Sequence, residues 1–202
     1  NNLFFAPDTY MEKIAIGPNL PANLVDLDNT VERNIELLSK AKNTTPDKIT
    51  VCILDRPRHA KTISSLKKMN VKLKLISDGD VSGVIYVIDN ESPVDMYLGI
   101  GGGPEGVLAA AALSCYDAQM QTRLVLDEKE SVKAKKMGIN NLKKKYNLNE
   151  MIKDDVMFCA TAITNGDFGE GVIEKGDFYE TTTMALHKNG NVKGVFKNKH
   201  KK

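Results

Sequence analysis

Two arginines, Arg56 and Arg58, flank Pro57 in the run DRPRH. Proline stiffens such a turn, and paired guanidiniums present fixed forks suited to phosphate oxygens. His59 is next to them, but a loop histidine with no partner in sight reads as structural or exposed, and no catalysis is rested on it. A second polar cluster, Asp78-Gly79-Asp80, can accept hydrogen bonds from sugar hydroxyls or hold a divalent cation. The plainer reading of Asp-Gly-Asp is a strand-to-helix turn with a helix cap. The third cluster is LGIGGGPEGVLAAAAL, Leu98 to Leu113. Gly101, Gly102 and Gly103 let the backbone take positive φ and let a phosphate come close without meeting a Cβ. Pro104 suits a first helical turn, and Glu105 there faces the positive end of the helix dipole, at the rim where a cation would sit. The spacing is not the G-x-G-x-x-G dinucleotide fingerprint, and no acid follows at the usual offset of about 20 residues. Three acids and two arginines are an inventory for binding a phosphorylated polyol beside a metal. A clear nucleophile and most of a cation's oxygen ligands are missing from it.

These clusters need elements to bring them together. YMEKIAIG, Tyr10 to Gly17, alternates as a strand and ends at Gly17-Pro18. Val25 to Asp28 reads as a short extended piece. Asp28 or Asn29 then caps a helix with Val31, Ile35 and Leu38 on one face. ITVCIL, Ile49 to Leu54, is a continuous apolar run of the kind buried in a parallel sheet, followed by DRPRH and a helix from about Ala60 to Met69. Val71 to Ser77 is the next strand, DGD sits at its tip, and Asp80 caps a helix through Val84 and Val87. Met96 to Ile100 is a third strand, running into the glycines and a helix of Ala, Val and Leu. Strand, polar tip and helix therefore repeat. Such βαβ winding sets all three tips at the carboxyl ends of the strands, where open α/β sheets bind ligands.

Beyond Tyr116 the order changes. Thr122 to Leu126 reads as a short strand, and Lys129 to Lys145 as a solvated charged helix broken at Gly138. Val156 to Ile163 reads as another buried strand, with TNGDFGEG at its end. Gly171 to Phe196 reads as strands joined at Lys175-Gly176 and Asn189-Gly190, with Thr181, Thr182 and Thr183 as ordinary strand residues.

The chain has 202 residues and a net charge of +2, enough for a core and too balanced to suggest a nucleic-acid partner. The basic end, Lys197 to Lys202, is expected to be solvated and frayed. No apolar run reaches membrane-spanning length. Cys52, Cys115 and Cys159 read as buried free thiols of a reducing, cytoplasmic compartment. The start, NNLFFAPDTY, reads as the middle of a longer polypeptide.

APDTYMEKIAIGP, ILDRPRHA, LISDGDV, LGIGGGPEGVLAAAAL, MQTRL, KKMGI, ATAITNGD and GVIEKG, in this order, closely resemble the carboxyl-terminal part of class II fructose-1,6-bisphosphatases. The resemblance runs from about Ala6 to Phe196. It implies the layered α/β sandwich of the lithium-sensitive, metal-dependent sugar phosphatases, with a largely parallel sheet and crossover helices. The whole chain would be the carboxyl-terminal substrate-binding domain of a longer phosphatase, the amino-terminal metal-binding domain lying outside it. It also implies a cytoplasmic, gluconeogenic hydrolase of the 1-phosphate of fructose 1,6-bisphosphate, activated by Mg²⁺ or Mn²⁺ and expected to be a homo-oligomer. Carried across by position, Tyr10 contacts substrate, and Arg56 with Arg58 holds the distal phosphate, Arg56 standing where the family usually has lysine. Asp78 and Asp80 contact sugar hydroxyls, and Glu105 ligates metal. The family's other metal-binding acids and its water-orienting threonine lie in a region with a D-P-[IL]-[ED]-G-T motif, which these residues do not contain. No catalytic residue is therefore assigned, and the chain alone is expected to be inactive. A phosphatase preferring sedoheptulose 1,7-bisphosphate and a non-catalytic sugar-phosphate sensor are the alternatives.

Overall fold

The computed structural model describes residues 2–166 and 169–202. They form two units, Asn1–Lys153 and Asp154–Lys202. In the first, β1 (Tyr10–Ile16) is followed by α1 (Val31–Ala41), β2 (Thr50–Leu54), α2 (Ala60–Lys68) and β3 (Lys72–Ile76). Then come α3 (Asp80–Ile85), β4 (Met96–Gly102), α4 (Gly103–Ser114), β5 (Gln119–Val125) and α5 (Glu128–Lys136). Short β6 (Lys145–Asn147) and α6 (Leu148–Met151) close the unit. No helix among the described residues is long and apolar enough to cross a membrane.

The six strands lie in the order β3-β2-β4-β1-β5-β6. β2 runs parallel to β3 and β4, whereas β1 is antiparallel to both β4 and β5. Strands β2, β3 and β4 thus share one direction, as the βαβ winding predicts; β5 shares it too, while the inserted β1 and the edge strand β6 run the other way. The reversed sense of β1 has a consequence for the site. Tyr10, at the start of β1, pairs with Gly102 at the end of β4 and with Val125 at the end of β5.

Strand alternation divides the core between the two faces of the sheet. Ile14, Ile16, Val51 and Met96 pack with Ile35 and Leu38 of α1 and Leu66 of α2. Met11, Lys13 and Ala15 face the other way. There Gly106 of α4 lies so close that an added methyl would sit 3.0 Å from the Lys13 Cε. Ala109, Ala110 and Ala112 of α4 are completely buried, and their small side chains let the helix lie close to the sheet and to α3 and α6.

Several local expectations are corrected. The α1 cap is Thr30, whose hydroxyl accepts the Arg33 N–H at 3.2 Å. Asp28 is instead drawn to Arg123 and Lys145, at 2.6 and 2.7 Å. Val25 to Asp28 joins no sheet: Asn34 holds both backbone groups of Asp26, while Val25 and Leu27 enter the core. Asp80 does not cap α3. Gly79 takes that place with φ near +80°, a conformation glycine adopts without steric cost, and Asp80 begins the helix. The charged helix expected from Lys129 to Lys145 does not resume after Gly138: it ends at Lys136, and Lys145 begins β6. α5 starts on an Asp127–Glu130 capping box and stops just before Gly138, whose φ is +89°.

In the second unit, β7 (Met157–Thr161), β8 (Ile173–Lys175) and β10 (Lys193–Lys201) each pair antiparallel with β9 (Phe178–His187). The turns fall near Gly176 and Gly190 as read, and the Thr181 to Thr183 run lies within β9. β7 is not the buried strand expected. Only Phe158 of its residues is buried, because an antiparallel sheet can leave one face to water. Cys159 on β7 is accordingly exposed, while Cys52 and Cys115 are buried. The basic end is not frayed. Lys197, Lys199 and Lys201 stay solvated but belong to β10, and Lys197 pairs with Glu170 at 2.8 Å. Of the TNGDFGEG tip, Asp167 and Phe168 lie outside the described residues.

Candidate functional site

The strand directions bring the polar tips to one edge of the six-stranded sheet. There a hollow of about 600 Å³ is lined by Tyr10, Arg56, Arg58, Asp78, Asp80, Gly101, Gly102 and Glu105. Every side chain assigned to substrate or metal from the sequence is in it. Gly103 is not. It is buried at the start of α4, where its N–H donates to the Thr9 carbonyl at 2.7 Å, and a methyl there would lie 3.0–3.1 Å from the Pro7 and Thr9 carbonyls.

The glycines act differently from the expectation. None of Gly101, Gly102 and Gly103 has positive φ, so the turn does not need them for backbone conformation. What it needs is room. A Cβ on Gly101 would overlap the Asp80 carboxylate, and one on Gly102 would overlap the Glu105 carboxylate, which folds back over the helix start. The glycines make space for the site's own acids.

Arg58 is oriented before any ligand arrives. Its Nε and Nη2 donate to the Ile100 carbonyl at 3.0 and 2.8 Å, and its guanidinium lies 4.9 Å from the centre of the Tyr10 ring. A fork held on one edge and backed by an aromatic face keeps its remaining N–H groups for an anion. Arg56 is exposed beside it.

His59 has the structural role expected of it. Its Nδ1 lies 2.8 Å from the Leu54 carbonyl, and its Nε2 accepts the Ile100 N–H at 2.8 Å. A backbone N–H can only donate, so Nε2 is unprotonated and Nδ1 carries the proton. Burial pushes the imidazole pKa down, the Leu54 hydrogen bond opposes this, and Arg58 adds to the lowering. With both nitrogens engaged, His59 has no proton to offer a substrate.

Sequence reasoning missed four contributors. Asp8, Thr9 and Glu130 line the hollow because β1 starts, and β5 ends, at this edge. Glu130 is occupied structurally, accepting the Asp127 N–H at 2.7 Å and lying 2.7 Å from the Thr9 hydroxyl. The fourth is Lys13. It is completely buried beneath the hollow, with its Nζ 2.5 Å from Asp80 Oδ2. Burial pushes its pKa down, while Asp80 and then Glu105 act to hold the charge. The signal was present in YMEKIAIG, where position 13 falls between Met11 and Ala15 on the buried face of the alternation.

Among the described residues, no group of three or more acidic, histidine or cysteine side chains is placed to hold a metal ion. A six-oxygen cage for Mg²⁺ or Mn²⁺ is thus not assembled from these residues by themselves. Glu105 is an exposed carboxylate at the rim of the hollow, suited to giving one hard oxygen donor.

The family model described as bacterial fructose-1,6-bisphosphatase, glpX-encoded, matches residues 1–200. A fructose-1,6-bisphosphatase class 2 of Haemophilus influenzae is 34% identical over 202 residues, covering 92% of this chain and 60% of the relative. Fructose-1,6-bisphosphatase 1 class 2 of Escherichia coli K12 is 35% identical over 196 residues, covering 90% of this chain and 58% of the relative. The chain therefore spans about 60% of the length of the curated relatives it matches.

Proposed function

From the premise that the chain belongs to the glpX-encoded bacterial fructose-1,6-bisphosphatase family, we propose that it is the substrate clamp of an enzyme that hydrolyses the 1-phosphate of fructose 1,6-bisphosphate. Water attacks phosphorus, the bond to the C1 oxygen breaks, and the products are inorganic phosphate and fructose 6-phosphate. The observation that carries this reading is the meeting of Arg56, Arg58, Tyr10, Asp78, Asp80 and Glu105 around one hollow. The arginines hold the 6-phosphate, which is not cleaved, and Tyr10 backs Arg58 at the sugar. The Asp78 and Asp80 carboxylates accept hydrogen bonds from the furanose hydroxyls. Glu105, also in the lining of the hollow, contributes one ligand to a Mg²⁺ or Mn²⁺ ion whose other ligands come from sequence outside these residues. When bound, such an ion supplies phosphoryl polarisation and a more acidic attacking water. The setting is the cytoplasm and sugar metabolism of the gluconeogenic kind.

The test is steady-state kinetics of the full-length protein carrying Arg58→Ala. A charge-assisted contact worth about 1.5–3 kcal/mol predicts KM raised on the order of tenfold or more, with kcat much less affected. A normal KM for the bisphosphate would remove Arg58 from the distal phosphate. A protein that binds the bisphosphate without releasing phosphate would favour the sensor reading.

A further inference from the structure

The sheet beneath the hollow buries a cation that the reading above does not use. Lys13 has no exposed surface, and the Asp80 side chain that pairs with it is 12% exposed. Their slot is built for them. Gly106 leaves room for the Lys13 Cε, and Gly101 leaves room for both the Lys13 Nζ and the Asp80 carboxylate. An added methyl at Gly101 would lie 3.1 Å from that Nζ and would overlap the carboxylate. The charged groups acting on the ammonium are Asp80, Glu105 and Arg58, each of which lines the hollow.

Stability does not account for this arrangement. Desolvating an ammonium and a carboxylate costs several kcal/mol per ion, and a well-packed apolar replacement of a buried pair is often neutral or stabilising. A methionine at position 13 would fill the same slot without any charge to desolvate. What an apolar residue cannot do is hold one oxygen of Asp80 in place. With Oδ2 fixed on Lys13 and the carboxylate stopped against Gly101, Oδ1 is the oxygen left to meet a ligand in the hollow.

We propose that Lys13 is a positioning residue for substrate. It anchors Asp80 Oδ2 beneath the glycine turn so that the carboxylate stays correctly turned toward the sugar hydroxyls. This rests on the reading of Asp80 as a sugar contact. Lys13 itself touches no substrate, so its whole effect passes through Asp80.

A double-mutant cycle in the full-length protein separates that from a merely structural role. Lys13→Met, Asp80→Asn and the double variant are compared for KM, kcat and thermal midpoint with fructose 1,6-bisphosphate. Each single change is expected to raise KM about tenfold, with the loss falling on KM rather than kcat. The double variant, which buries a neutral pair, is expected to match Asp80→Asn alone, about tenfold and not a hundredfold. If Lys13→Met fails to fold, Lys13→Gln takes its place in the same cycle. Multiplying effects, or a normal KM in a folded Lys13→Met, overturn the proposal. An active unaltered protein with multiplying effects sinks this proposal alone. An inactive unaltered protein sinks the functional reading, and this one with it.

Discussion

Glu105 is the residue on which the metal half of the account depends. Its carboxylate folds over Gly102 at the start of α4, so a glycine is required beside it and a cation at the rim would meet it directly. As a mere dipole partner its replacement by glutamine would cost at most about 1 kcal/mol and leave chemistry intact. As a metal ligand it should behave otherwise. Glu105→Gln in the full-length protein is expected to keep a normal thermal midpoint and lose on the order of 100-fold in kcat, with part of the loss recovered at raised Mn²⁺. A near-normal kcat at ordinary Mg²⁺ would return Glu105 to helix capping. Residues such as Glu105, Arg58 and Asp78 were legible in the sequence because strand tips carry distinctive short motifs. Lys13 was harder to see, since its meaning depends on which face of β1 is covered by α4.

At the scale of elements, His59 links the end of β2 to β4, bridging the Leu54 carbonyl and the Ile100 N–H. Since Ile100 also receives Arg58 through its carbonyl, this bridge supports the placement of the Arg58 guanidinium in the hollow. The fold lowers the His59 pKa below its ordinary 6.5. The neutral form is thus favoured by folding. That contribution is complete above pH 6.5 and is lost as pH falls from there toward the lower folded value. Thermal midpoints of the parent and of His59→Gln, measured from pH 7.5 downward, should therefore differ most at the upper end and draw together on acidification. Near pH 7.5 the variant should be about 1–3 kcal/mol less stable, because the partly buried Ile100 N–H loses its acceptor. Curves that stay parallel through this range would contradict the neutral assignment. The identity and order of the strands and helices of the first unit from β1 to α5 were legible from apolar runs and turn residues, whereas β6 and α6 were not. The glycine turn was legible as a site, though not for the reason first read: 101 to 103 are small to admit neighbouring groups, which only the packing displays.

At the scale of the molecule, one topological fact organises the hollow. β1 runs against β4 and β5, so its Tyr10 end lies beside their carboxyl ends. A buried apolar strand carries no local mark of its direction, so this reversal could not be read from YMEKIAIG. The same limit explains β7 and Cys159, whose exposure depends on a sheet that leaves one face uncovered. The lining of the hollow lies wholly within the first unit, while the acids needed for a cation cage are not gathered among the described residues. Binding and turnover should therefore come apart. The most direct measurement is phosphate release from fructose 1,6-bisphosphate with Mn²⁺, run in parallel on the full-length protein and on residues 1–202 alone, with calorimetric binding of fructose 6-phosphate to both. The account predicts turnover by the full-length protein, and binding without turnover by the chain alone. Comparable turnover by the chain alone, or no release by the full-length protein, would contradict it.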